Sequence, residues 1–197
     1  MAETFESQVV AFDQTQGLAL LDNAIDTVAG TIKGVSLATA GVEAIGHGEY
    51  DETTLELIRE FWTDATTLDT MLAACLSIGQ PLKAKLEHGT GLSEVVGTFD
   101  NFRIDGAHLR ADFTAIPTSG GVAHLFSLAE RISKQFGVSV TAMLQKVSQG
   151  GVDLMRCMEI ESADFVDSPA INAGLFSAKR KSHKLANTNT NPLQTMD

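Results

Sequence analysis

Three side chains in this sequence could together carry out nucleophilic chemistry: a serine, a histidine and an acid in three separate apolar segments. Ser139 lies between Val138 and Val140, a pattern typical of a short buried strand that carries a single hydroxyl. A serine hydroxyl is a weak nucleophile until a neighbouring base removes its proton. A serine in a strand is more often a packing residue, so a catalytic role depends on the other two segments.

The histidine is His88, at the end of a segment in which apolar and charged residues alternate. Residues 82–88 (LKAKLEH) have leucine, alanine and histidine on one face and two lysines and a glutamate on the other. This period of two predicts a half-buried strand with His88 on its apolar side. Such a histidine is usually a core residue, and the alternative is a catalytic base. His47, between two glycines, is a second candidate, although its surroundings are more typical of a turn.

The acid is Asp164, in a strand predicted over residues 154–166. If the strand is unbroken, Asp164 shares a face with Met158, Ile160 and Val166, and a buried carboxylate without a partner is costly. Histidine is a natural partner, whereas the alternative is an aspartate that caps a nearby turn. Two other acids stay open as candidates, because one β-bulge would invert the alternation: Glu161 and Glu159.

Composition excludes several other classes of protein. The formal charge of −11 argues against a general nucleic-acid binder, which needs clustered lysine and arginine. The sequence contains neither a zinc-ligand motif nor a phosphate-binding loop, so we expect neither a metal nor another cofactor.

Cys75 and Cys157 lie in apolar segments typical of reduced, buried thiols. No signal peptide and no apolar run of about 20 residues are present, which predicts a soluble, intracellular protein without a membrane partner.

The remaining pattern predicts an α+β fold, with a mostly antiparallel sheet or β-barrel flanked by three helices. Residues 1–32 are predicted to be a leader, 33–177 one folded domain, and 178–197 a disordered polar tail. The Asp105-Gly106 pair predicts a hairpin turn. The predicted helices cover residues 51–62, 66–76 and 122–132, and the predicted strands cover residues 33–40, 42–50, 82–88, 95–104, 108–116, 136–143 and 154–166.

Seven segments occur along the chain in the following order: residues 86–89 (LEHG), 96–106 (VGTFDNFRIDG), 109–112 (LRAD), 124–130 (HLFSLAE), 136–139 (FGVS), 163–170 (ADFVDSPA) and 174–177 (GLFS). Taken together in this order, they resemble the tailed-phage prohead (capsid maturation) proteases, which are similar in fold to the herpesvirus assembly proteases. The similarity extends over about residues 34–177.

The resemblance implies a β-barrel ringed by helices and a serine endopeptidase that acts inside the immature capsid, in the host cytoplasm. Its substrates would be the scaffold protein, the major capsid protein and usually the protease itself, so the leader and the tail are candidates for self-cleavage or scaffold binding. His88 matches the catalytic histidine of the family and Ser139 its nucleophile. The third member differs among branches, and this chain offers Asp164, with Glu161 and Glu159 as neighbours. A homodimer is implied only by analogy with the herpesvirus enzymes.

Two hypotheses compete with a serine endopeptidase. The first is a catalytically inert scaffold or assembly protein that keeps the protease fold. The second is an unrelated hydrolase of small esters.

Overall fold

The computed structural model describes residues 24–45 and 60–176 of the chain. Within these ranges the protein has an α+β fold, in which nine strands form one mixed, mostly antiparallel sheet and two α-helices pack against it. The predicted α+β class with a mostly antiparallel sheet flanked by helices is therefore confirmed. No helix of the described ranges is both long and apolar enough to cross a membrane.

The elements follow the predicted order closely from residue 65 onward. The helices are α1 (Ala65–Ser77) and α2 (Val122–Ile132), and a short 3₁₀ turn covers Leu92–Glu94. The strands are β1 (Ile25–Asp26), β2 (Thr31–Thr39), β3 (Glu43–Ile45), β4 (Glu60–Trp62), β5 (Leu82–Leu86), β6 (Val95–Asp105), β7 (His108–Ala115), β8 (Gly137–Gln149) and β9 (Val152–Val166).

The predicted boundary at residue 33 lies inside β2, and Ile32 in the same strand is completely buried. Residues 24–32 thus belong to the fold. Most of the predicted leader (residues 1–23), the predicted tail (residues 178–197) and His47 lie outside the described residues.

The sheet is open, which corrects the barrel alternative. Its strand order is β1-β2-β7-β6-β5-β9-β4-β3, and the two end strands, β1 and β3, do not pair with each other in the part of the chain described. Strand β9 pairs with β4 and β5 in parallel along one edge and with β8 in antiparallel fashion along the other. All other pairs are antiparallel. Because β9 joins three strands, it determines which residues of β5 and β8 become neighbours.

The core on one side of this sheet is built around aromatic side chains. Phe165 of β9 lies 5.0 Å from Phe113 and 5.5 Å from Phe99, measured between ring centroids, and all three rings are buried. Such tilted and edge-on pairs contribute about 0.5–1.5 kcal/mol each beyond the burial of apolar area. Gly97 allows this packing, because a Cβ atom there would lie 2.4 Å from the Phe113 ring and 2.2 Å from the Thr114 carbonyl oxygen.

Helix α1 is attached to β9 through its first turn. Asp64 caps the helix by accepting a hydrogen bond from the Thr67 amide at 2.7 Å, and Arg156 donates to both carboxylate oxygens at 2.8 and 2.9 Å. Burial alone would raise the pKa of Asp64, but the hydrogen bonds from Arg156 and Thr67 outweigh it and hold that pKa below its ordinary value. This ion pair fixes the helix against the start of the long β9 strand.

The predicted helix over residues 51–62 is wrong at its C-terminal end. Glu60–Trp62 is strand β4, which pairs with β3, and Phe61 is buried. Aromatic residues suit a pleated surface with cross-strand neighbours, and here that pairing overrides the helical spacing of the apolar residues. Residues 51–59 lie outside the described ranges.

Candidate active site

His88 reaches the site through a turn and not through a strand. Strand β5 ends at Leu86, and Glu87 has a φ of 51°, in the left-handed region that ends regular strand geometry. The Glu87 amide still donates to the Phe165 carbonyl at 2.8 Å, so the turn stays attached to β9. The prediction that His88 occupies the apolar side of a strand is therefore wrong: 44% of its side chain is exposed.

The turn brings His88 onto Asp164. The distance from His88 Nδ1 to Asp164 Oδ2 is 2.8 Å, and the aspartate is completely buried. A carboxylate can only accept hydrogen bonds, so Nδ1 must carry the proton. In the neutral ring this leaves Nε2 without a proton, free to act as a base. The aspartate thereby selects the tautomer that a serine hydrolase requires.

Asp164 lies on the opposite face of β9 from Ile160, whereas an unbroken strand would place both residues on one face. The register between β8 and β9 shifts at Glu161 and again at Met158, which is the signature of two β-bulges. Each bulge inverts the alternation, so Ile160 faces the core whereas Asp164 does not share its face. The prediction that Asp164 and Ile160 share one face is therefore wrong, although Asp164 is buried as expected.

Ser139 is the direct cross-strand neighbour of Asp164. The two residues are register partners in the antiparallel β8–β9 pair, and Val138 on the other face is fully buried. Directly opposed residues project from the same face with Cβ atoms about 4.5–5.5 Å apart. Lys85 of β5 is the register partner of Asp164 on its other side. One row across three strands thus contains Lys85, Asp164 and Ser139.

In the part of the chain that the structure describes, the Ser139 hydroxyl forms no hydrogen bond with His88. Ser139 has an exposed fraction of only 6%. Catalytic hydrogen bonds are often long or absent in the free enzyme and form only when substrate is bound. His88 and Ser139 are therefore both neighbours of Asp164, and one of the two hydrogen bonds of a serine–histidine–aspartate triad is formed.

The other two candidate acids lie away from this cluster. Glu161 is the bulged residue of β9, 62% of its side chain is exposed, and it pairs with Lys83 at 3.6 Å. Glu159 is also exposed. Of the three acids, Asp164 is the one that contacts His88.

Thr141 is a member of the site that the sequence interpretation missed. Its Oγ1 donates to Asp164 Oδ2 at 3.0 Å and lies 3.5 Å from His88 Nδ1. Thr141 follows Ser139 by two residues on the same strand, so strand alternation alone could have placed both hydroxyls on one face. The threonine is not positioned as the nucleophile, because its proton is directed at the carboxylate and it approaches the nitrogen that already binds Asp164.

The described residues contain no comparable site for thiol or metal chemistry. Cys75 and Cys157 are free and buried, as predicted, and burial raises the pKa of Cys75 to about 12 and that of Cys157 to about 11. Such thiols are not ionised near neutral pH. No group of three or more histidine, cysteine, aspartate or glutamate side chains in the described ranges could hold a metal ion.

Comparison with known proteins adds no relative. No protein-family model matches this sequence, and neither a curated protein nor a solved structure matches it.

Proposed function

We propose that the protein is a serine endopeptidase with Ser139 as nucleophile, His88 as general base and acid, and Asp164 as the residue that orients His88. The observation that carries the proposal is the 2.8 Å contact between His88 Nδ1 and the buried Asp164 carboxylate, with Ser139 directly opposite that aspartate on the next strand. A serine–histidine–aspartate site for acyl transfer needs an acid, a histidine and a serine in adjacent positions. This cluster contains all three, with the acid buried and the histidine half-exposed.

In the proposed reaction, Ser139 Oγ attacks the scissile carbonyl carbon while its proton passes to His88 Nε2. The new C–O bond forms as the carbonyl π electrons move to oxygen, and the resulting imidazolium is stabilised by Asp164. His88 then returns the proton to the leaving amine nitrogen as the C–N bond breaks, which leaves an acyl-enzyme. A water molecule repeats the sequence in place of the serine, releasing a carboxylic acid and the free hydroxyl.

The proposed substrates are proteins of an immature phage capsid: the scaffold protein, the major capsid protein and this chain itself. This part of the proposal is supported by the resemblance of residues 34–177 to the prohead proteases. The protein would act inside the prohead, in the host cytoplasm, and would need no cofactor.

Labelling with a fluorophosphonate tests the nucleophile. We expect the wild-type protein to be labelled at Ser139, and Ser139→Ala to lose both the label and all processing of capsid and scaffold proteins. Ser162→Ala is the matched control, because Ser162 is a buried serine of the neighbouring strand β9 and the register partner of Thr141. It should keep the label.

The outcomes separate the competing hypotheses. Processing by Ser139→Ala, or a label on another residue, would refute the assignment of the nucleophile. Wild-type protein that takes no label even in assembled proheads, but still associates with scaffold, would favour an inert assembly protein. Hydrolysis of simple esters without cleavage of any peptide would favour a small-molecule hydrolase.

A further inference from the structure

The segment that follows β9, residues 167–176, forms a strap across the start of β8. Leu175 is fully buried; its amide donates to the Ser133 carbonyl at 2.8 Å and its carbonyl accepts from the Ser36 amide at 2.9 Å. Gly137 and Gly174 allow the close approach, because a Cβ atom on Gly137 would lie 3.1 Å from the Gly174 backbone. The C-terminal strap (residues 167–176) is therefore part of the folded core.

Asn172 is the polar centre of this strap. Its exposed fraction is 1%, and its Nδ2 donates to the carbonyls of Ser36 at 3.1 Å, Leu37 at 2.9 Å and Val138 at 2.9 Å. Its Oδ1 accepts from the hydroxyls of Ser36 and Thr39, both at 3.0 Å. One buried amide thus connects the strap, β2 and β8.

The contact with Val138 matters because that carbonyl belongs to the peptide bond that precedes Ser139. Among the described strands, β8 pairs only with β9, so its other edge has no strand to hold it. A peptide unit is planar, and fixing its carbonyl oxygen also fixes the N–H and the Cα of the next residue. The Asn172 amide therefore restrains the peptide unit that precedes Ser139.

We propose that Asn172 is a positioning residue for Ser139, acting through the Val138 carbonyl; this inference rests on the serine endopeptidase proposed above. A catalytic nucleophile must be held to within a fraction of an ångström, and a displacement of about 1 Å can cost about 10²-fold in rate. Val138 and Ser139 occur on an edge strand, where such precision needs a second anchor. The buried amide supplies it.

Two variants and one matched control test this role. Asn172→Ala removes the whole amide, whereas Asn172→Asp keeps its shape and acceptor oxygen but loses the donors to Val138. Thr39→Val is the control, because it removes a hydroxyl that donates to Asn172 Oδ1 and leaves the Nδ2 contact with Val138 in place. Using two Asn172 variants guards against one of them failing to fold.

The measurement is the rate of fluorophosphonate labelling per active site, with the number of sites taken from the final extent of labelling. A residue needed only for folding would lower the number of sites and leave the rate of each unchanged. We expect the rate per site to fall about 10²-fold in an Asn172 variant, and less than about threefold in Thr39→Val. Amide hydrogen exchange at Ser139 and Val140 should accelerate in the Asn172 variants alone.

The results distinguish this inference from the proposed function. If wild type is labelled but the labelling rate per site is unchanged in the Asn172 variants, the role of Asn172 is refuted and the proposed function stands. The same holds if the rate per site falls equally in Thr39→Val. Wild type that takes no label would overturn the proposed function and, with it, the catalytic role of Asn172. Unchanged hydrogen exchange at Ser139 in the Asn172 variants would show that this amide does not hold the strand.

Discussion

Two aspartates of the same sheet, Asp112 and Asp164, differ in how many of their carboxylate oxygens accept hydrogen bonds. Asp112 Oδ1 accepts from the Gly34 amide at 2.8 Å and from Arg103 Nη2 at 3.0 Å, and its Oδ2 accepts from Asn101 Nδ2 at 2.7 Å. Asp164 has both of its contacts, His88 and Thr141, on Oδ2. Its Oδ1 is buried and has no partner among the described protein groups.

The difference separates a structural carboxylate from a candidate catalytic one. Asp112 is partly exposed, faces an arginine and has both oxygens satisfied, so it stabilises the β6–β7 hairpin. The same network holds Asn101, which has a φ of 52° at a bulge of β6. Asp164 is fully buried with a half-exposed histidine as its ionisable partner. A buried carboxylate that accepts a hydrogen bond from a half-exposed histidine fits the orienting role proposed for Asp164.

Neutralising Asp164 should have the largest effect of the substitutions at these carboxylates. Asp164→Asn should lower kcat about 10⁴-fold, because an amide can donate to Nδ1 and then favours the wrong tautomer of His88. Its stability should stay within about 1 kcal/mol of wild type or rise, since the change removes a buried charge. Peptide cleavage and urea denaturation of the same samples measure the two effects. A fall in stability of several kcal/mol with activity retained would make Asp164 a structural residue.

The same substitution at Asp112 should have the reverse outcome. Asp112→Asn loses charge-assisted hydrogen bonds, which costs about 1.5–3 kcal/mol of stability, whereas the labelling rate per site should not change. Burial would raise the pKa of Asp112, but hydrogen bonds from Asn101, Gly34 and Arg103 outweigh it and hold the pKa below its ordinary value of 3.8. The contribution of Asp112 is therefore present above pH 3.8 and is lost as the pH falls through the lower folded value.

Denaturation at a series of pH values checks that sign. The stability difference between wild type and Asp112→Asn should be constant near neutral pH and should shrink as the solution is acidified below about pH 4. A difference that grows on acidification would mean that the pKa of Asp112 is raised in the folded protein. Loss of labelling per site in Asp112→Asn would show that the hairpin network also supports catalysis.

The sequence predicted the elements of the site better than its geometry. Local signals were enough for the hairpin at Asp105-Gly106, where Gly106 has a φ of 58°, and for helix α2, whose bounds are as predicted. The alternation around Ser139 correctly indicated a strand, in which Val138 is fully buried and Val140 is partly buried. These features depend on residues adjacent in sequence, so their patterns contain the information.

The features that were mispredicted or missed depend on pairing between distant segments. The left-handed turn at Glu87 and the bulges of β9 reverse the faces that strict alternation assigns, and neither leaves a glycine signal in the sequence. The role of Asn172 depends on contacts with residues more than 30 positions away. The open sheet likewise follows from which strands pair, and alternation cannot specify that.

Thr141 and His88 both contact the same oxygen of Asp164, Oδ2. Thr141→Val should lower kcat about tenfold, equivalent to about 1.4 kcal/mol, since a hydrogen bond to a charged group is lost. Thr141→Ser keeps the hydroxyl and should remain within about threefold of wild type. Steady-state kinetics on a peptide substrate measure both. Equal loss in the two variants would indicate that the methyl group, and not the hydrogen bond, is important.

The smallest effect is expected from the two acids that sequence interpretation left open. Glu161→Gln should change labelling less than about twofold, because its contact is an exposed ion pair with Lys83, and such pairs contribute between zero and about 1 kcal/mol. Glu159→Gln should behave in the same way. Labelling rates for both variants, measured beside Asp164→Asn, rank the three acids directly. A loss of 10²-fold or more at Glu161 would mean that β9 can shift its bulge and present a different carboxylate to His88, which would remove the distinction between Asp164 and its neighbours.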